Sequence, residues 1–388
     1  MHKETSLPNR MAGLATRRFT DYPVTSVFLD LRPRGTRRPG LVFLKKELSQ
    51  MKKSLPHRAE EAEWGARDIQ RIQEAVAEAQ REKANHLAVF TSAKEEFLEK
   101  YFWTLAPEAD LRLPHSFVRG ARPRLYPLAL LADRLENFLL LVASQRKGEL
   151  FNIEAGRITK HWEKEAPVHA ETRREKRGAF DRRTGNIHTT FTKRVEGHLQ
   201  ALEEKFFREL AKKTADWAKA GSIRSVVLGA DPVAGPPVKE KILEQNGRLE
   251  VVLAPIDSKL SPARILAAGV QAFRQQEQER SNFRVEELFS PGKRQVFFGA
   301  VEILNVLRET RPAGVLVLDE AFHQEAPICG RCSAVTIQTG VCPDCAGPVE
   351  RSPLENELVC LAAAAGAEIE FVKDSEALAK KGGAGLLV

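Results

Sequence analysis

Four of the chain's five cysteines fall in one short stretch, as Cys329-Gly-Arg-Cys332 and Cys342-Pro-Asp-Cys345, with nine residues between the inner pair. Two C-x-x-C turns offer four thiolates to a tetrahedral ion and leave no open coordination position, which is the arrangement of a structural zinc site. A single C-x-x-C would read as a redox dithiol; two so close together favour a metal. Thiolates alone do not choose between metals, so a rubredoxin-like iron site is the rival to zinc. The constraint on the fold is strong. Residues 327–350 have to form a small metal-clamped insertion between a buried strand (314–319) and an apolar helix (353–365). Clustered cysteines also speak against a disulfide framework and for a reducing, cytoplasmic compartment. Cys360, flanked by Leu358, Val359 and Leu361, is expected in the core.

The remaining pattern is α/β. Residues 24–31 read as a buried strand, and 87–90 and 101–105 as two more. A helix is expected over 59–83, with Ile69, Ile72 and Val76 on one stripe. The run Phe138-Leu-Leu-Leu-Val-Ala143 is a continuous apolar strand, far too short to span a bilayer. It leads into a hairpin that turns at Ala155-Gly156, and a helix follows over 190–219. Strands at 223–229 and 249–253 bracket a helix at 238–245. Further helices are expected at 123–135, at 260–279 with a solvated end at 274–280, and at 296–309. Closing strands lie at 367–372 and 386–388. No Gly-x-x-x-x-Gly-Lys and no Gly-x-Gly-x-x-Gly is present, so the Gly/Pro stretch after residue 229 is a strand-to-helix turn rather than a phosphate cradle. The first 22 residues read as a flexible arm, and they lack the apolar segment of a secretory signal.

Charge supplies the second functional cue. A net charge of +8 and a pI of about 9.2 favour anionic partners. The excess is concentrated. Residues 32–40 hold four arginines and two prolines, and between Glu171 and Arg194 eight Lys/Arg face three Asp/Glu. The second stretch is a long polar loop with two isolated glycines, Gly178 and Gly185, between the hairpin and the helix that follows. Arg34, Arg37, Arg38, Arg173, Arg174, Lys176, Arg177, Arg182 and Arg183 are therefore the candidate RNA-binding residues, against the plainer reading of a solvated charged loop. No Ser-His-Asp set and no carboxylate pair suited to two metals accompanies them.

The order of segments resembles the archaeo-eukaryotic-type release factor-like proteins of bacteria, relatives of class-one release factors, Pelota and Balon-type hibernation factors. The resemblance spans roughly residues 20 to 388. It is carried by Leu150-Phe-Asn-Ile-Glu-Ala-Gly-Arg-Ile158, by Val226-Val-Leu-Gly-Ala-Asp-Pro, by Val296-Phe-Phe-Gly-Ala-Val-Glu-Ile-Leu304, and by Gly314-Val-Leu-Val-Leu318. Leu354-Glu-Asn-Glu-Leu358, Gly366-Ala-Glu-Ile-Glu-Phe-Val372 and the glycine-rich close before Leu386 complete it. It implies a three-domain, tRNA-shaped α/β architecture with mixed sheets and a zinc-knuckle insertion in the last domain. The divisions would be an arm (1–22), an N-terminal domain (23–134), a middle domain with the basic loop (135–258) and a C-terminal domain (259–388) holding the insertion 327–350.

The same resemblance implies a cytoplasmic protein that is a monomer off the ribosome, contacts rRNA in the A site, is delivered by a translational GTPase such as elongation factor Tu, and has no membrane partner. One departure bears on chemistry. Release factors of this kind place Gly-Gly-Gln in the middle loop to set water at the peptidyl-tRNA ester. Between Lys160 and Phe206 there is no Gly-Gly and no Gly-Gln pair, and the lone glutamine, Gln200, lies in the following helix. The Asn-Ile-Lys-Ser motif of stop-codon readers is also missing from residues 1–134. A non-catalytic A-site factor for hibernation, rescue or recycling is the expected function, with no catalytic residue assigned. The alternative is a peptidyl-tRNA hydrolase with a divergent loop that uses Asn186 or His188.

Overall fold

The computed structural model describes residues 7–19, 21–33, 37–55, 59–104, 114–134, 137–154, 157–166, 189–257, 259–310 and 312–388. They form a mixed α/β protein with four sheets, divided into two units. One unit joins residues 1–135 to 278–388; the other is residues 136–277.

In the first unit the N-terminal sheet has the order β3-β2-β1-β4, from β1 (Val24–Asp30), β2 (His86–Ser92), β3 (Phe97–Trp103) and β4 (Ser116–Gly120). Every residue of β1 and β2 is buried, because both faces of the sheet are covered. On one face Val27, Leu29, Leu87 and Val89 meet Leu44 and Leu48 of α2 (Pro39–Lys53) and Ile72, Ala75 and Ala79 of α3 (Ala59–Arg81). On the other face Phe28, Ala88 and Phe90 join a larger core with α1 (Leu7–Ala15) and α4 (Tyr126–Arg134). Met11, Leu14 and Ala15 of α1 are buried there, so part of the stretch expected as an arm is packed helix.

That larger core is continuous with the C-terminal sheet, ordered β10-β16-β11-β15. Its strands are β10 (Val296–Phe298), β11 (Val315–Asp319), β15 (Glu368–Val372) and β16 (Ala384–Leu387), with β11 and β15 parallel. Leu316, Leu318, Phe371 and Leu386 face α8 (Ala300–Glu309) and α9 (Leu354–Ala365), whose Leu358, Val359 and Cys360 are fully buried. The helix expected over 296–309 is thus a strand followed by a helix. Gly299 separates them at a φ of +84°, a conformation open to glycine and costly for other residues.

The second unit holds a five-stranded sheet, β7-β6-β5-β8-β9, from β5 (Phe138–Ala143), β6 (Lys147–Glu154), β7 (Arg157–Glu165), β8 (Ser225–Ala230) and β9 (Glu250–Ala254). β5, β8 and β9 are parallel, while β6 and β7 form the antiparallel hairpin at one edge. The apolar run of β5 follows from its central place. Leu139 and Leu141 face α5 (Thr189–Gly221) and α6 (Gly235–Gln245), while Phe138, Leu140 and Val142 face α7 (Pro262–Phe289). The solvated end expected at 274–280 is instead the middle of α7. Further along that helix Arg280 and Arg284 lie 3.7 and 3.3 Å from the buried Glu370. No helix among the described residues is long and apolar enough to cross a membrane.

Candidate metal centre

The insertion is a three-stranded antiparallel sheet, β12-β14-β13, of β12 (Glu325–Cys329), β13 (Gly340–Val341) and β14 (Pro348–Pro353). The cysteines gather at one end of it by two turns of the same construction. In the first, the amide of Ser333 donates to the carbonyl of Cys329 at 2.9 Å; in the second, Ala346 donates to Cys342 at 2.9 Å. Ser333 and Ala346 take up φ values of +63° and +54°, and in each turn this left-handed residue directly follows the second cysteine. The paired geometry brings all four Sγ atoms within 4.8 Å of one another. Cys329 and Cys345 are 3.4 Å apart at sulfur, Cys332 and Cys342 3.6 Å. A zinc–sulfur bond of about 2.3 Å in a tetrahedron requires sulfurs roughly 3.8 Å apart, so the spacing fits one ion held by Cys329, Cys332, Cys342 and Cys345.

The surroundings fit the same ion. Gly347 leaves room for the sulfurs: a Cβ there would sit 3.1 Å from the Cys329 sulfur and 3.3 Å from that of Cys345. The Arg331 amide donates to the Cys329 sulfur at 3.4 Å, which suits a thiolate. Cys329 and Cys342 are buried with Ala334 and Val349. Burial pushes the Cys332 thiol up to about 12, aided by the neighbouring thiols, so holding it as a thiolate here calls for a cation beside it. The chemistry such an ion would supply is a structural cross-link. Cys360, by contrast, is fully buried 3.7 Å from the carbonyl of Pro123, a core residue as expected.

The insertion is tied to the rest of the first unit by Arg122, which the sequence did not mark, and by residues of Leu354-Glu-Asn-Glu-Leu358, quoted above only for the resemblance. Arg122 is buried, pairs with the equally buried Glu357 at 2.6 Å, and donates through its other terminal nitrogen to the Ser333 hydroxyl. Asn356, beside Glu357, accepts from the amides of Leu125 and Tyr126 at 2.7 and 3.2 Å and donates to the carbonyl of Pro123 at 3.2 Å. It satisfies the open N-terminus of α4 from another helix, a job that a residue preceding α4 would ordinarily do. The available signal was three polar residues, Glu355-Asn356-Glu357, at the head of an apolar helix, and all three are buried.

Of the basic candidates, Arg37 and Arg38 are exposed where α2 begins, and Arg38 occupies the N-cap position without a side-chain cap. Arg34, Arg173, Arg174, Lys176, Arg177, Arg182 and Arg183 lie outside the described residues, as do Asn186 and His188 of the hydrolase alternative. A second group with metal-ligand chemistry, Glu149, His161 and Glu163, already holds a cation: the Lys147 ammonium is 3.2 and 3.4 Å from the two carboxylates.

Residues 123–274 match the family model described as bacterial archaeo-eukaryotic release factor family 10. The expected resemblance to the bacterial archaeo-eukaryotic-type release factor-like proteins is thereby shown, through a segment that includes the whole five-stranded sheet of the second unit. No curated protein matches the chain significantly. Among solved structures, an archaeal translation termination factor is 14% identical over 98% of this chain and 96% of its own, with a TM-score of 0.23. Archaeal Pelota, from a ribosome-bound model, is 10% identical over 78% of this chain and 77% of its own, at 0.39. A translation termination-like factor of S. cerevisiae involved in RNA quality control is 10% identical over 78% of this chain and 86% of its own, at 0.36.

Proposed function

We propose that this protein is a ribosome-associated translation factor that occupies the A site without releasing the nascent peptide, in hibernation, rescue or recycling. The observation that carries the reading is a combination within one segment. Residues 123–274 match a release factor family model, yet the part of that segment where release factors set their catalytic turn has neither Gly-Gly nor Gly-Gln. Ester hydrolysis there needs a small backbone turn that can approach the ester and a side chain that orients water. Positioning and transition-state stabilisation supply most of such a rate, so a loop without those parts forfeits most of it.

The net charge of +8 and the exposed Arg37 and Arg38 support rRNA as the surface bound. Zinc at the four cysteines is a structural cofactor in this reading, and a translational GTPase is the proposed delivery partner. Sedimentation of the full chain with purified ribosomes across a salt series tests the reading. Binding at low salt that falls steeply as salt rises is expected, because lysine and arginine contacts to phosphate release counterions. No binding, or binding indifferent to salt, would overturn it.

A further inference from the structure

In the second unit β7 is the edge strand of the sheet, and its residues alternate between two faces. Trp162 lies opposite the buried Leu150 in register, which places Lys160, Trp162 and Lys164 on the face covered by α5. From α5, Lys213 and Trp217, one turn apart, meet them. The Lys213 ammonium lies 5.9 Å from the ring centroid of Trp162 and 5.7 Å from that of Trp217; the Lys160 ammonium lies 5.9 Å from Trp217. The result is an alternating row of two ammonium groups and two indoles.

Neither lysine forms an ion pair among the described residues. Of the acids near the row on α5, Glu209 is paired with Lys164, and the exposed Asp216, between Lys213 and Trp217 in the chain, pairs with neither lysine. Lys160 is exposed, and Lys213, Trp162 and Trp217 are each partly exposed. Two of the chain's four tryptophans are therefore held at an open sheet edge by cations that have no carboxylate partner.

We propose that this row is a binding site for single-stranded RNA, with Lys160 and Lys213 on successive phosphates and bases packing against the exposed parts of the Trp162 and Trp217 indoles. Cations interleaved with aromatic rings are what a flexible polyanion with flat bases requires. An acidic peptide would use the lysines and leave the indoles idle. The inference rests on the ribosome-associated reading and assigns RNA contact to the body of the second unit, outside the basic loop.

The test uses the full chain and a fluorescently labelled twelve-nucleotide oligoribonucleotide, with binding followed by anisotropy and by indole emission. The wild type should bind with quenched indole emission. Lys160→Gln/Lys213→Gln should weaken binding at least tenfold and lower the slope of log affinity against log salt by about 1.4, two phosphates at roughly 0.7 each. Trp217→Leu should weaken binding and leave that slope unchanged, which a loss of fold would not do. Wild-type protein that ignores the oligonucleotide, a glutamine variant that binds as well as wild type, or equal lysine-dependent binding of polyglutamate would each overturn the proposal. Sedimentation with ribosomes separates this failure from that of the parent reading. If wild type and the glutamine variant sediment with ribosomes equally, the site is wrong and the reading stands; if wild type does not sediment, the reading itself falls.

Discussion

Replacing Arg122 by methionine should be among the most damaging single changes in the first unit, and its cost should depend on pH. The Arg122–Glu357 pair is almost wholly withdrawn from water, and the guanidinium also holds Ser333, the residue after Cys332. At 2.6 Å and an effective dielectric of about 20 the gross attraction is roughly 6 kcal/mol. Desolvation of both ions offsets most of it, so the intact pair contributes little net stability. Removing one partner is different, because it strands a buried charge at a cost of about 3–5 kcal/mol. For a unit of this size that corresponds to a fall in Tm of about 6–20 °C.

Glu357 supplies the pH dependence. Burial raises its pKa while Arg122 and, after it, Arg18 pull it down, so losing Arg122 removes the first of the two lowering charges and lets the pKa rise further. A carboxyl whose folded pKa lies above its unfolded value binds more protons when folded. Its folded form is then favoured at low pH and loses stability as pH rises through the window between the two values. Arg122→Met should therefore cost less at pH 5 than at pH 8. The double variant Arg122→Met/Glu357→Leu should be more stable than Arg122→Met alone, since it removes the stranded charge. Thermal unfolding of wild type, both single variants and the double variant at the two pH values measures this. A loss below about 1 kcal/mol for Arg122→Met, or strict additivity in the double variant, would refute the argument.

Elemental analysis of purified protein should find one zinc per chain; iron, or no metal, would contradict the assignment, and Cys342→Ser should loosen the insertion while the second unit stays folded. Gly347→Ala should weaken zinc retention against a competing chelator, because its Cβ would press on two of the ligand sulfurs. Burial drives His86 down to about 4 against the pull of Asp30, so the unfolded chain takes up that proton first as pH falls. Stability should be lost between about pH 6.5 and 4, and the difference between wild type and His86→Gln in urea unfolding should shrink across that window.

The parts of the fold legible in the sequence were those set by local pattern. β5, β8 and β11 are apolar runs because both faces of their sheets are covered, and the α3 stripe of Ile72 and Val76 is an ordinary amphipathic face. The four cysteines were legible because ligand spacing is written along the chain. What tertiary contact decides was not. Pro39-Gly40 reads as a turn, yet it opens α2, where a proline at the first position costs no hydrogen bond. Arg280 closes the stretch that reads as a solvated end, until Glu370 is placed beside it. The short strands β12, β13 and β14 carry little periodicity of their own; turns and pairing fix their register. Arg122 and Glu357 stand far apart in sequence, so their pairing could not be read from either neighbourhood.

The central claim is occupancy of the ribosome without release, and one experiment addresses both halves. Ribosomes carrying labelled peptidyl-tRNA in the P site are incubated with the full chain and separated on a sucrose gradient, with label and protein followed in every fraction. The account predicts that the protein travels with the ribosomes while the label stays attached to tRNA. Free labelled peptide produced at the rate of a release factor would contradict it, and so would protein left at the top of the gradient.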